Sequence, residues 1–176
     1  MRRSLFILIL LVSFYGCKKE EKIVHAGTET IDNTLYGAGP YYALGFSFSL
    51  AKKLSTLDSP RPDISLITDV GIDGTIRRLM LQTEINNYFY RVGDYPDESS
   101  ATTAFNNLTS ASVPAWEESG DTIRANQIWI FRSASDHYSK FRIVNTIAEK
   151  RSDVAYGECT FEWTYQPDGT LTFPGK

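Results

Sequence analysis

The chain has few of the side chains from which metal centres and disulfides are built. Its 176 residues include two cysteines and two histidines, which are Cys17, Cys159, His25 and His137. A structural zinc centre usually takes four Cys or His ligands at characteristic spacings, and no such spacing occurs in this sequence. We therefore expect no metal site.

The sequence also lacks the motifs of common enzymes and any cluster of basic residues. No Gly-x-Ser-x-Gly elbow, glycine-rich phosphate loop or complete calcium loop occurs. The formal net charge is −3, from 18 Lys and Arg against 21 Asp and Glu. Without a basic cluster, the chain lacks the electrostatic footprint that binding to nucleic-acid phosphates requires. These absences favour a non-catalytic protein that does not bind nucleic acid.

The one long apolar run is too short to cross a membrane. It covers residues 5–15 and follows Arg2 and Arg3, whereas a transmembrane helix needs about 20 apolar residues. A basic end, a short apolar region and a small residue such as Gly16 are typical of a secretory signal peptide. We therefore predict that residues 1–16 are removed from the mature chain.

The segment Phe14-Tyr15-Gly16-Cys17 resembles a lipobox, in which the cysteine thiol is acylated before the signal peptide is cleaved. Acyl chains such as palmitate contribute about 0.8 kcal/mol per buried CH₂, so a cysteine carrying several chains anchors stably in a membrane. We predict that Cys17 is lipidated, which leaves Cys159 as the single remaining thiol and excludes an intramolecular disulfide. In the alternative, an ordinary secretory signal leaves Cys17 as a free thiol.

The residues directly after the cysteine are charged. Lys18, Lys19, Glu20 and Glu21 resemble the surface-export signal of some lipoproteins of bacteria with two membranes, and a solvated linker is the alternative. We predict a flexible tether over residues 17–40. The domain that follows would then be anchored to the outer membrane and would face either the periplasm or the cell surface.

Residues 41–176 show the period-two alternation that is typical of β-strands. Strands are predicted over residues 41–51, 63–70, 75–83, 88–92, 127–133, 138–148, 154–165 and 170–173. Asp73-Gly74 predicts a hairpin turn, and the spacing of Ala101, Ala104 and Phe105 predicts one short helix over residues 97–108. We therefore expect a single, mostly β, antiparallel domain, built as a sandwich or as a twisted sheet.

Aromatic side chains supply the remaining candidate binding chemistry. The chain contains 10 Tyr, 10 Phe and 3 Trp. Trp116 in a loop, together with Tyr88, Tyr90 and Tyr95 near a sheet edge, is a candidate stacking platform for a sugar or for a flat macrocycle such as haem. Met80, the one thioether of the mature chain, is the candidate haem ligand. The alternative is that these side chains fill the core.

Three motifs follow one another in the last third of the chain. They are Gln127-Ile-Trp-Ile-Phe-Arg132, Tyr138-Ser-Lys140-Phe-Arg-Ile143 and Cys159-Thr-Phe-Glu-Trp163-Thr-Tyr-Gln166. In this order they resemble the HmuY-like haem-binding lipoproteins, in which a strand leads through a turn into Tyr-x-Lys and later to an aromatic strand. The resemblance implies the β fold, the lipoprotein class and haem as the ligand.

We therefore expect a surface or outer-membrane lipoprotein that binds a ligand without catalysis. Haem or a related small molecule is the first expected ligand, and an outer-membrane transporter is an expected partner. Adhesion to a cell-surface glycan or protein is the alternative, and a hydrolase is the second alternative. We expect the function to lie in residues 93–126, since loops carried by a rigid sheet commonly hold binding residues.

Overall fold

The structure is a computed structural model that describes residues 25–84 and 88–175. The predicted signal peptide, the lipidation site at Cys17 and the export signal at residues 18–21 therefore lie outside the described residues. Within the described ranges, no helix is long and apolar enough to cross a membrane.

Antiparallel strands form most of the described chain, as the alternation predicted. In chain order the elements are β1 (Ala26–Asp32), β2 (Leu44–Ser47), β3 (Lys52–Ser55), β4 (Ser65–Val70), β5 (Ile76–Gln82), β6 (Phe89–Asp94), α1 (Glu98–Asn107), β7 (Gln127–Arg132), β8 (Tyr138–Arg151) and β9 (Val154–Gln166). The main sheet has the order β1-β9-β8-β7-β6, while β2-β3 and β4-β5 form two hairpins. The fold class is confirmed: one mostly β domain with one short helix.

Alternation along β9 determines which face of the main sheet meets the core. Cys159, Phe161, Trp163 and Tyr165 are buried on one face, as the period-two pattern predicted. Between them, polar residues such as Glu162 lie on the opposite face and are only partly buried. Burial raises the pKa of the Cys159 thiol, so this cysteine is a core residue rather than a nucleophile.

The two hairpins form a second layer over the core face of the sheet. Phe46 of β2 packs against Trp163, with ring centroids 5.2 Å apart, and Phe48 packs against Phe141 at 5.8 Å. From β4 and β5, Leu66, Leu79 and Leu81 join the same buried cluster. The hydrophobic core therefore lies between the five-stranded sheet and the two hairpins, which is a sandwich-like arrangement.

Helix α1 lies on the other side of the sheet and is fixed there by Lys140. The Asp97 side chain accepts the Ser100 backbone N–H and caps the first turn. At the last turn, the buried Lys140 Nζ donates to the carbonyl oxygens of Phe105 and Leu108 at 2.8 and 2.9 Å. The Phe105 carbonyl also accepts the Leu108 N–H at 3.4 Å. Carbonyls at the end of a helix lack the usual partner four residues on, so the Lys in the Tyr-x-Lys motif has a structural role.

The predicted tether over residues 17–40 is wrong for residues 26–32, which form β1. This strand pairs with β9 along its whole length, from Ala26 opposite Thr164 to Asp32 opposite Glu158. Ile31 is buried in the core. Since β9 would otherwise present an unpaired edge, the pairing satisfies backbone groups that period-two patterning alone does not reveal.

Two predicted strands also differ from the structure. The strand over residues 41–51 is interrupted: β2 ends at Ser47, residues 48–51 form a turn, and the chain returns as β3. The Asp63 carboxylate accepts the Phe48 N–H at 2.8 Å, which takes this donor out of strand pairing. The strand over residues 170–173 is reduced to a single bridge between Ser110 and Thr172.

Gly45 marks the closest approach between β2 and the chain leading into β4. A Cβ atom at this position would overlap the carbonyl oxygen of Ile64 and lie 2.7 Å from Cβ of Pro62. Because the obstacle includes backbone, we predict that Gly45→Ala lowers the free energy of unfolding by about 1–3 kcal/mol, as is typical of overpacking. Urea denaturation followed by tryptophan fluorescence measures this change.

Gly27→Ala is the matched control for this prediction. Its added Cβ would meet the Trp163 ring no closer than 3.4 Å, which is an ordinary contact. Equal stabilities for the two variants would contradict the close approach at Gly45.

Candidate functional site

A cleft of about 630 Å³ lies beside the β4-β5 hairpin. We call it the tyrosine cleft, because Tyr41 and Tyr42 line it. The segment before β2, the turn after β3 and the two strands of the hairpin contribute its walls. Its volume falls within the range of roughly 300–1,000 Å³ that is typical of small-molecule sites.

The rim of the tyrosine cleft carries apolar side chains that the core does not use. Tyr41, Leu35 and Leu57 are 65%, 66% and 53% exposed, and all three line the cleft. Single exposed apolar residues are common on protein surfaces, but a group of them around one concavity is typical of a binding site. The exposed Tyr41 ring offers both a flat apolar face and a hydroxyl group.

The polar groups of the tyrosine cleft divide into a structural set and an accessible set. The Asn33 side chain donates to Thr68 Oγ1 and to the carbonyl oxygen of Ala155, so it is committed to the fold. Gln82 is exposed, and its side-chain amide has no hydrogen-bond partner among the described residues. Its carbonyl and NH₂ groups are therefore available to a ligand, as one acceptor and two donors.

A second cleft, of about 500 Å³, adjoins the first. We call it the hydroxyl cleft, because Ser47, Ser49, Ser133 and Ser135 line it. The serines form two pairs, with Oγ–Oγ distances of 3.3 Å for Ser47 and Ser49 and 3.1 Å for Ser133 and Ser135. Ser47 is buried and donates to Asp63, so the hydroxyl groups that this cleft presents are those of Ser49, Ser133 and Ser135.

A largely buried carboxylate, Asp63, lies in the wall of the hydroxyl cleft. Oδ2 accepts hydrogen bonds from the Phe48 N–H at 2.8 Å and from Ser47 Oγ at 3.3 Å. Burial raises the pKa of Asp63 above its ordinary value of 3.8, although these hydrogen bonds oppose the shift. Removal from water is the larger effect, so the charged form of Asp63 is destabilised in the folded chain.

Two of the predicted binding aromatics lie around Arg132. Its guanidinium carbon is 4.7 Å from the centre of the Tyr88 ring and 4.9 Å from that of Trp116. Trp116 also stacks on Tyr138 with centroids 6.1 Å apart. These cation–π and stacking contacts join both partly buried rings to the rest of the fold.

The other three predicted binding residues lie elsewhere. Met80 is on β5, directly opposite Ile67 of β4, and Tyr90 is opposite Ile130 in the main sheet. Tyr95 follows β6 and donates its backbone N–H to the carbonyl of Asn126. None of the five predicted residues lines the tyrosine cleft or the hydroxyl cleft, and their roles in binding stay predictions.

Haem binding requires a side chain that ligates the iron. Neither Met80 nor the two histidines line the tyrosine cleft. Tyr41 and Tyr42 line the cleft, and Tyr is an established haem ligand type. The tyrosine cleft therefore offers a phenol rather than Met80 as a group that could ligate haem iron, and Met80 as a haem ligand stays a prediction. In the part of the chain that the structure describes, no group of three or more His, Cys, Asp or Glu side chains is placed to hold a metal ion.

Sequence reasoning missed the residues that form the clefts. Tyr41 and Tyr42 fall within the strand predicted over residues 41–51, and Asp63 begins the strand predicted over residues 63–70, with Pro60, Arg61 and Pro62 in the turn between them. The sequence did contain one signal of a site here, which was a Pro-rich turn together with polar residues at both ends of the predicted β4-β5 hairpin. No single-sequence pattern indicates that these two segments meet.

The chain was also compared with known proteins. No model of a protein family matches it, and no curated protein is significantly similar to it.

The raised pKa of Asp63 predicts a pH dependence of stability. Because the folded chain holds this proton more tightly than the unfolded chain, the associated stability is fully present below pH 3.8 and is lost as the pH rises through the raised pKa. Asp63→Asn retains a side-chain acceptor for the Phe48 N–H and removes the titration. We expect the unfolding free energy of the native chain, relative to that of Asp63→Asn, to fall over this window in urea denaturation.

Asp73→Asn is a control for which the pH dependence of the unfolding free energy should have the opposite sign. Hydrogen bonds from the Thr75 hydroxyl and backbone hold the pKa of Asp73 below its ordinary value. The native chain should therefore lose stability relative to Asp73→Asn as the pH falls through that lowered pKa. The interpretation of Asp63 fails if its variant shows the same direction as that of Asp73.

Proposed function

We propose that this chain is a lipid-anchored, non-catalytic binding protein of the outer membrane that holds a saccharide in the tyrosine cleft. The observation that carries the ligand assignment is that the exposed Tyr41 ring and the uncommitted Gln82 amide line one concavity. The first supplies a flat apolar face for the C–H face of a sugar ring. The second supplies a donor and an acceptor for its hydroxyl groups.

The anchor is supported by the sequence before the described domain. The predicted signal peptide ends at Gly16 and Cys17 follows it, while β1 begins at Ala26. A short charged segment would therefore separate the acylated cysteine from the edge of the main sheet. A segment of this length would hold the domain close to the membrane surface, where a transporter partner would contact it.

Haem is the second candidate ligand. Its support is the pair of phenols, Tyr41 and Tyr42, at the tyrosine cleft, together with the resemblance of residues 127–166 to the HmuY-like lipoproteins. The saccharide is preferred, because the cleft also carries the exposed polar groups Gln82, Arg61 and Glu84, for which sugar hydroxyls are suitable partners.

A glycan array followed by calorimetry with the best-bound sugar tests the saccharide. We expect Tyr41→Ala to weaken binding about tenfold, equivalent to about 1.4 kcal/mol, because it removes the stacking surface. Val154→Ala is the control, since Val154 is 68% exposed, about as much as Tyr41, and lines neither cleft, so this variant should bind as the native chain does. No binding to any glycan, or equal losses in both variants, would argue against the proposal.

A second substitution at Tyr41 distinguishes a saccharide ligand from haem. Tyr41→Phe keeps the aromatic face and removes the phenol, so saccharide binding should largely persist. A haem titration followed in the Soret region gives the opposite outcome if Tyr41 ligates iron: a saturable band in the native chain that is lost in Tyr41→Phe.

Metabolic labelling with an alkynyl palmitate analogue tests the anchor. We predict that the native chain is labelled and partitions with membranes, whereas Cys17→Ser is unlabelled and released. Cys159→Ala is the control and should remain labelled, because Cys159 is fully buried in the core and is not the acylated residue. A native chain without label would support an ordinary secretory signal instead.

A further inference from the structure

The tyrosine cleft and the hydroxyl cleft share part of their walls. Arg61, Pro62, Thr83 and Glu84 line both. At this boundary the side chains of Arg61 and Glu84 form an ion pair, and each is more than half exposed. The two concavities are therefore adjacent, and a pair of charged side chains stands between them.

The ion pair at this boundary is only a weak barrier to a ligand that extends from one cleft into the other. An ion pair between exposed side chains contributes about 0–1 kcal/mol to stability, because water screens the charges and the long side chains lose freedom in pairing. Rotating Arg61 and Glu84 aside therefore costs little. Once rotated, their guanidinium and carboxylate groups remain available as a donor and an acceptor at the same place.

The sizes of the two clefts indicate a ligand longer than one ring. Their volumes are about 630 and 500 Å³, and each alone falls within the range of roughly 300–1,000 Å³ that is typical of a small-molecule site, so the adjacent pair has room for more than one ring. The two halves also differ in chemistry. One has exposed apolar side chains around Tyr41, and the other has the paired serine hydroxyls.

We infer that the two clefts form one groove that binds a neutral oligosaccharide across the Arg61–Glu84 pair. One sugar ring stacks on Tyr41, and further units extend to the serine hydroxyls, where Ser133 and Ser135 exchange hydrogen bonds with sugar hydroxyls. A neutral chain suits this groove, because it carries both signs of charge at its boundary and Asp63 in the far wall. The inference rests on the proposed saccharide function and adds the length of the ligand.

A chain-length series tests the groove. Calorimetry on the mature chain would use ladders of one to six units: β-1,4-linked glucose, xylose, mannose and N-acetylglucosamine, and α-1,4-linked glucose. Ala134 is exposed and lines the hydroxyl cleft, so Ala134→Trp fills this half without touching the other. We expect the native affinity for at least one ladder to rise about tenfold or more from two to six units, and Ala134→Trp to cancel this rise while leaving two-unit binding unchanged.

Ala125→Trp is the matched control, because Ala125 is also exposed and lines neither cleft. It should retain the full dependence on length. If Ala134→Trp leaves six-unit binding unchanged while Tyr41→Ala still weakens it, the extended groove is wrong and the saccharide function stands. If no ladder binds to the native chain, the groove for a neutral oligosaccharide is overturned, and the proposed function is overturned with it only if the glycan array also shows no binding.

Discussion

The packing of Phe46 and Phe48 onto the main sheet is the interaction on which the rest of the structure depends. Phe46 contacts the rings of Phe161 and Trp163, at 5.5 and 5.2 Å, and Phe48 lies 5.7 Å from Phe131. Phe46 and Phe48 supply the apolar surface with which the β2-β3 hairpin and its turn pack on the sheet, next to Leu66, Leu79 and Leu81 of the β4-β5 hairpin. A two-stranded ribbon is marginally stable alone, so each hairpin depends on this shared core. The aromatic cluster therefore holds the second layer, and through it both clefts, against the sheet.

The same contact positions the tyrosine cleft and the hydroxyl cleft at the hairpins, whereas a third and shallower concavity lies within residues 93–126, at the start of α1. Asp63 follows the Pro-rich turn, and its carboxylate reaches back to the Phe48 N–H, so the turn is fixed next to the buried aromatic rings. Residues 93–126 instead contact the rest of the fold. Helix α1 packs over the main sheet, Gly120 forms a bridge with Leu81 of β5, and Glu117 forms a bridge with Phe89 of β6. A long loop that is committed to backbone pairing has fewer groups left for a ligand.

Periodicity predicted the parts of the fold that local sequence determines. β7, β8 and β9 were located to within a few residues, because each alternates large apolar and polar side chains over its length. The helix was located by the apolar spacing of Ala101, Ala104 and Phe105. Partners distant in sequence were not predictable: the pairing of residues 26–32 with β9 satisfies an open edge, and nothing in Thr28 or Thr30 indicates that edge. The clefts depend on the same kind of distant contact, so the sequence indicated aromatic chemistry but not Tyr41.

A binding site made of individually weak contacts needs a rigid wall. The hydrogen bonds of Asn33 make one wall of the tyrosine cleft rigid. Its amide donates to Thr68 Oγ1 and the Ala155 carbonyl, and its side-chain oxygen accepts the Gly157 N–H at 2.8 Å. These bonds join the end of β1 to β4 and β9, so the wall of the tyrosine cleft is fixed before a ligand arrives. Only exposed side chains such as Tyr41 and Gln82 must then be ordered, at about 0.5–1.5 kcal/mol each. This division between a fixed wall and adjustable contacts favours a ligand recognised through several equivalent hydroxyl groups over one that needs a single precisely placed bond.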